Sequence, residues 1–165
     1  MTTRTLVLLR HAKAANPAGV ADLDRPLTSR GHADATAAGA WLAGRGLIPD
    51  MVICSPSRRT RETWHGVALN LPQAPDVRYE RAVYGGDSDD LLELVVGVED
   101  DVSTLLVIGH NPTMSHLSAL LDPDGADDDG LRTCGVAVHA FEGSWPECGP
   151  RSAAVTAVHT ARAQA

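Results

Sequence analysis

The sequence predicts a single α/β domain, a three-layer sandwich in which a mostly parallel sheet carries helices on both faces. Two observations lead to this prediction. Short, continuous apolar runs recur along the 165 residues, and segments with helical periodicity follow most of them. Strands that are apolar at every position are typical of parallel sheets, because both faces of such sheets are covered. A chain of this length is most simply one domain, spanning residues 1–165.

Six segments are predicted to be strands. Three are clear apolar runs, a fourth is shorter and weaker, and two late segments alternate imperfectly and are expected as edge strands: 6–9, 51–54, 104–108, 77–79, 135–141 and 153–159. The order of strands and helices favours one sheet in which the early strands run parallel.

Four segments are predicted to be helices from apolar residues spaced three or four apart: 31–46, 60–71, 88–98 and 112–121. Ser88 is expected to cap the third, and Pro112 to take the first position of the fourth. Gly85-Gly86 is expected to form a turn. The polar stretch 12–30, rich in helix breakers, is expected to be a functional loop, and the acidic stretch 122–130 a solvated one.

The composition excludes several classes of protein. A formal charge of −7 without a basic stripe argues against nucleic acid or an anionic membrane as partner. The three cysteines show no CxxC spacing, which favours reduced thiols in a cytoplasmic protein over disulfides or a metal site. No apolar stretch is long enough to span a membrane, and no nucleotide-binding glycine motif is present. We expect a cytoplasmic monomer without metal or cofactor.

Charged and titratable side chains follow the predicted strands. They are Arg10 with His11, then Arg58 with Arg59, then Glu80, and finally His110. Because the carboxyl ends of parallel strands meet at one edge of a sheet, these side chains are expected to lie together. Arginine pairs suit phosphate oxygens, and the histidines and the carboxylate add acid–base chemistry. The sequence therefore predicts a phosphate site at this edge.

Three motifs then carry a resemblance to a known family: Arg10-His11 ahead of the segment 25–31, Ser55 with Arg59 and Thr63 behind it, and Gly109-His110. Together they resemble the histidine phosphatase superfamily, which has the phosphoglycerate-mutase-like fold. The short chain, and the alanine after His11, are most similar to its SixA-type phosphohistidine phosphatases. The resemblance covers about residues 6–121.

The resemblance implies a role for each matching residue. His11 aligns with the nucleophile that becomes phosphorylated, while Arg10, Arg59 and His110 align with residues that hold the phosphoryl group. Glu80 aligns with the proton donor of many members. The implied activity is hydrolysis of phosphohistidine on a protein through a covalent intermediate on His11.

Elementary chemistry adds expectations about the two histidines. His11 must be neutral to attack phosphorus, and the neighbouring arginines are expected to lower its pKa by like-charge repulsion. Its other ring nitrogen needs a partner, expected to be a backbone carbonyl. A protonated His110 is expected to join Arg10 and Arg59 in stabilising the transferred phosphoryl group.

Two other functions stay open at this point. The same site serves a small-molecule phosphomonoesterase if Glu80 is a working acid, since an alkoxide leaving group needs a proton donor. A non-catalytic phosphate-binding module is the other alternative. Glu80 itself has a second interpretation, a surface ion pair with the flanking Arg78 and Arg81.

Overall fold

One six-stranded sheet forms the centre of the protein in the computed structural model, which describes residues 2–73 and 75–164. Its strands are β1 (Thr3–Arg10), β2 (Met51–Cys54), β3 (Asp76–Tyr79), β4 (Thr104–Gly109), β5 (Gly135–Glu142) and β6 (Ala154–Thr160). They lie in the order β3-β2-β4-β1-β5-β6. The first four in that order are parallel, β5 pairs antiparallel with β1, and β6 pairs antiparallel with β5. The predicted mostly parallel α/β sheet is confirmed.

Within the described residues, five α-helices connect these strands: α1 (Ser29–Gly44), α2 (Arg58–Ala68), α3 (Arg81–Gly85), α4 (Ser88–Val96) and α5 (Thr113–Leu121). Asp87, and not Ser88, caps α4, since its carboxylate accepts the N–H of Asp90. Pro112 precedes α5 instead of beginning it. The short α3 was not predicted, and it ends at Gly85, the first residue of the expected turn. In the described part of the chain, none of the helices has the length and apolarity needed to cross a membrane.

Helices cover both faces of the sheet. Along β1, Leu6 and Leu8 belong to one buried cluster and Val7 and Leu9 to another, because successive side chains of a strand point to opposite faces. The first cluster includes the apolar residues of α4 and α5, and the second those of α1 and α2. Full burial of an aliphatic side chain contributes roughly 1.5–3 kcal/mol, so these two cores dominate the stability of the fold.

The position of β5 differs from the prediction. It lies between β1 and β6, so only β6 is an edge strand of the late pair. Val136 and Val138 face one core, and Ala137 and Phe141 face the other. Because both faces of β5 are buried, it has no reason to alternate between apolar and polar residues, which explains the imperfect pattern.

Candidate active site

The strand order places the carboxyl ends of β2, β4 and β1 side by side at one edge of the sheet. Arg10 at the end of β1 is in register with Gly109 at the end of β4. His11 and His110 are the residues that follow these two, and the centroids of their rings are 5.4 Å apart. Ser55 follows β2, and its hydroxyl is 2.8 Å from His110 Nε2. The sheet thus brings together residues that are up to 99 positions apart in the sequence.

The backbone and one ring nitrogen fix His11. Its N–H donates to the carbonyl of Gly109 at 3.1 Å, and its carbonyl accepts the N–H of Cys134 at 2.9 Å. Nδ1 lies 2.7 Å from the carbonyl oxygen of Ala12. A carbonyl can only accept, so Nδ1 carries the proton of the neutral ring and Nε2 keeps its lone pair. The predicted backbone-carbonyl partner is confirmed.

The pKa of His11 is lowered from 6.5 to about 4, so the ring is neutral near pH 7. Burial is the largest cause, because removing water disfavours the charged imidazolium. The hydrogen bond to Ala12 opposes this shift, and repulsion from Arg59 and Arg10 adds to it. The expectation of a neutral His11 is confirmed, but the arginines are not the principal reason.

Arg59 lies at the start of α2, where the fold buries it. Ser57 caps this helix by accepting the N–H of Thr60. One turn further along, the hydroxyl of Thr63 donates to the carbonyl of Arg59 at 2.7 Å and accepts the N–H of Ala12 at 3.0 Å. These bonds lock the helix to the segment after β1. Arg58 points away instead and pairs with Glu62, with half of its side chain exposed.

Arg10 is partly buried and Arg59 is buried, and each keeps one donor free. Arg10 donates through Nη1 to the carbonyl of Leu131 at 3.1 Å. The Nε atoms of Arg10 and Arg59 are buried and have no hydrogen-bond partner among the described residues. Buried donors are almost always satisfied in folded proteins, and charged ones are costly to leave unpaired. Two such guanidinium donors beside a neutral imidazole are suited to an anion with several oxygens.

His110 is held between Ser55 and Arg59. Nη2 of Arg59 lies 3.3 Å from Nδ1 of His110, and a guanidinium can only donate. Nδ1 is therefore the acceptor, and the ring proton is on Nε2, which donates to the hydroxyl of Ser55. The pKa of His110 is lowered to about 3, first by burial and then by Arg59. The expectation that His110 is protonated is wrong for the free protein.

Asp22, in the loop between β1 and α1, belongs to this site although sequence reasoning did not select it. Its backbone carbonyl and one carboxylate oxygen accept from Nη1 and Nη2 of Arg59, at 2.7 and 3.1 Å. The same carboxylate accepts from the hydroxyl of Tyr84 at 2.7 Å and from Arg25 at 3.2 Å. These bonds, with Tyr84 first, lower the pKa of Asp22 to about 2. The available signal was its place in the long polar loop just before Arg25-Pro26.

Glu80 lies at the same edge but at its far side. It follows β3, three strands from β1, which is about 14 Å at the usual spacing between strands. Its N–H donates to the carbonyl of Cys54, while its carboxylate makes no hydrogen bond or ion pair with any described residue. Arg78 pairs with Glu99 and not with Glu80. The second interpretation of Glu80, a surface ion pair with Arg78 and Arg81, is therefore wrong.

Metal ligation is a separate question for this site. Across residues 2–73 and 75–164, no three His, Cys, Asp or Glu side chains are grouped as a metal site requires. Cys54, Cys134 and Cys148 are buried and free.

Comparisons with known sequences give the following likenesses. A sequence model of the histidine phosphatase superfamily (branch 1) matches residues 6–81. The uncharacterised protein Rv1276c of Mycobacterium tuberculosis is 36% identical over 162 residues, which cover 93% of this chain and all of that protein. The phosphohistidine phosphatase SixA of Escherichia coli is 32% identical over 118 residues, covering 70% of this chain and 73% of SixA.

Solved structures give a parallel result. A protein from Nakamurella multipartitia that is proposed to be a phosphohistidine phosphatase SixA superposes with a TM-score of 0.86 at 35% identity, over 98% of each chain. The protein histidine phosphatase SixA in complex with tungstate superposes with a TM-score of 0.81 at 23% identity, covering 94% of this chain and 96% of the other. The second likeness bears on the fold alone.

Proposed function

Because the chain belongs to the histidine phosphatase superfamily, we propose that it is a phosphatase that removes the phosphoryl group from phosphohistidine on a protein. The observation that carries the proposal is the state of His11. It is a neutral imidazole with its proton fixed on Nδ1, and it lies among arginines with free donors. The likeness to SixA of Escherichia coli supports a phosphohistidine as the substrate.

In the first step, the lone pair on His11 Nε2 attacks phosphorus and forms a new P–N bond. The bond between phosphorus and the substrate imidazole breaks, and its electron pair goes to that ring. If the substrate ring is protonated on its other nitrogen, it leaves as neutral imidazole. The carbonyl of Ala12 stabilises the positive charge that develops on His11, since it already accepts the Nδ1 proton.

In the second step, a water molecule attacks the phosphoryl group on His11. The P–Nε2 bond breaks, its electron pair returns to His11, and dihydrogen phosphate leaves with both protons of the water. Arg10 and Arg59 would stabilise the oxygens of the phosphoryl group in both steps, chiefly by position and charge. His110 would have to accept a proton or change tautomer before it could donate to the same oxygens, because its Nδ1 is an acceptor in the free protein.

The leaving group favours phosphohistidine over a phosphoester. An imidazole with an unperturbed pKa near 6.5 leaves once it is protonated, whereas an alkoxide, with a basicity near that of hydroxide (pKa about 15.7), needs a general acid. Glu80 is the acid that the family resemblance offers, but its carboxylate is not oriented by any described residue. A phosphoramidate substrate does not require it to be well placed.

A trapping experiment tests this proposal. The protein is mixed briefly with ³²P-labelled phosphoramidate or with a phosphohistidine peptide and then quenched in alkali. We expect alkali-stable, acid-labile label on the wild type, none on His11→Ala, and a fall in turnover of at least about 10³-fold in that variant. His65→Ala, which removes an exposed histidine, is the matched control. Phosphate binding without label or turnover would contradict the proposal and leave a binding module.

A further inference from the structure

We propose that a cationic groove beside the candidate active site binds an acidic segment next to the phosphohistidine of the substrate protein. This inference rests on the proposed function and names how the protein substrate is recognised. The cationic groove has a volume of about 390 Å³ and is lined by Lys13, Arg30, Asp34, Thr133 and Arg162.

The groove lies at the same edge of the sheet as His11. Lys13 is two residues past His11, and Gly31 of α1 packs directly against the carbonyl of Lys13. On the other side, the N–H of Cys134 donates to the carbonyl of His11, so Thr133 lies immediately beside the site. The groove therefore continues from the site toward β5 and β6, away from Glu80.

The residues of the groove carry a local excess of positive charge. Lys13, Arg30 and Arg162 are exposed, and Asp34 is the one acidic residue among those that line the groove. Nη1 of Arg162 is fixed by the carbonyl of Thr133 at 2.8 Å. Three cations against one anion leave a charge of about +2 on the wall of the groove.

Asp34 organises the groove without neutralising it. Its side chain is 2% exposed, and it accepts the N–H of Ala163 at 2.8 Å. Nε of Arg30 and Nη1 of Arg162 lie 3.7 and 3.8 Å from its two oxygens. Both arginines are thereby held along the same wall while much of each side chain stays exposed to a partner.

The opposite edge of the sheet has the reverse charge. A second groove there is lined by four acidic residues and one arginine: Asp50, Asp76, Glu99, Asp101 and Arg78. The whole chain has a formal charge of −7. An acidic partner is thus repelled at this second groove and attracted at the cationic groove beside His11. Such an uneven field steers a charged partner and raises its rate of association.

An acidic protein segment is the occupant that these charges select. The cations lie along a wall that begins two residues from His11, so a peptide that leaves the phosphohistidine in this direction passes all three. The strongly negative total charge argues against a nucleic acid as the occupant.

The test compares two phosphohistidine peptides of equal length, one flanked by glutamates and the other by glutamines. It uses wild type, the groove variant K13Q/R30Q/R162Q, and the matched variant R45Q/R78Q/R151Q, which removes the same charge from exposed sites elsewhere. At low ionic strength, we expect kcat/KM of wild type to be about tenfold higher for the glutamate peptide, and the preference to fall with salt.

The preference should disappear in the groove variant and persist in the matched variant, while turnover of phosphoramidate stays unchanged in both. Lys13→Gln alone, whose side chain makes no hydrogen bond to a described residue, should show a partial loss and guards against misfolding of the triple variant. Equal kcat/KM for the two peptides in wild type would contradict the proposal that the groove binds an acidic segment. Failure of wild type to hydrolyse phosphoramidate would count against the proposed function instead.

Discussion

Asp22 accepts two hydrogen bonds from the guanidinium of Arg59, one on its backbone carbonyl and one on its side-chain carboxylate. It thereby uses Nη1 and Nη2 and leaves the buried Nε as the free donor. The side chain of Asp22 is 52% exposed, whereas that of Arg59 is 7% exposed. A residue of a surface loop therefore binds the end of a buried guanidinium. This contact ties the loop after β1 to the start of α2.

Asp22→Ala should lower kcat/KM for phosphoramidate by about tenfold, because Arg59 loses a charged hydrogen bond, which contributes roughly 1.5–3 kcal/mol, and is no longer oriented. Asp22→Asn keeps an acceptor oxygen and should lose less. Steady-state kinetics and the inhibition constant of tungstate measure both effects. Tighter tungstate binding in Asp22→Ala would contradict this, since it would show that the carboxylate competes with the anion for Arg59.

His11 should titrate near pH 4 in the folded protein, since burial lowers its pKa from 6.5 to about 4. Between these values the unfolded chain binds more protons than the folded one, so this histidine makes stability rise with pH from about 4 to 6.5. NMR titration of ¹⁵N-labelled histidine, assigned with His11→Asn, measures the midpoint, and urea unfolding follows the stability. A midpoint near 6.5 would show that the ring is not buried as described.

Ser55→Ala should reduce turnover as well as stability, because it leaves the Nε2–H of His110 without its acceptor. A matched control exists in the same chain, since Ser118 bonds Nε2 of the buried His139 at the same distance of 2.8 Å. Both alanine variants should lose about 1–3 kcal/mol of unfolding free energy, but only Ser55→Ala should lower kcat/KM. Equal kcat/KM for the two variants would show that Ser55 has no role in catalysis.

Glu80→Gln should leave phosphoramidate turnover within about twofold of wild type. Any hydrolysis of an alkyl phosphoester should fall by at least about 10²-fold in this variant, if Glu80 is the general acid for that leaving group. The exposed Glu93→Gln is the control. A comparable loss on both substrates would mean that Glu80 acts on the shared phosphoryl chemistry instead.

Gly39→Ala should destabilise the protein by about 1–3 kcal/mol, as overpacked cores do. A Cβ at residue 39 in α1 would lie 2.2 Å from the carbonyl oxygen of Val67 in α2. Gly44→Ala, in the same helix with open space around it, should be neutral or stabilising by up to about 1 kcal/mol. Thermal unfolding of the two variants compares them directly, and similar melting temperatures would show that the helices do not pack this closely.

Most of the fold could be predicted from the sequence alone. Runs such as residues 6–9 and 105–108 are apolar at every position because both faces of β1 and β4 are buried, so they identify interior parallel strands. The position of β5 was harder to predict. Both of its faces are covered, so it lacks the alternation of apolar and polar residues that marks an edge strand. The caps were uncertain by one residue, because Asp87 and Ser88 are both good capping residues and local sequence does not rank them.

Within the site, the sequence determined which residues end the strands and thus that His11, His110 and the arginines would meet. Only the tertiary structure decided what each of them does there. Asp22, Ser55 and Tyr84 contact Arg59 or His110 across 26 to 55 residues of sequence, and no local pattern marks such contacts. The neutral state of both histidines is likewise a consequence of burial. Desolvation depends on how the whole chain packs around a ring, and for that reason it cannot be predicted from the residues beside it.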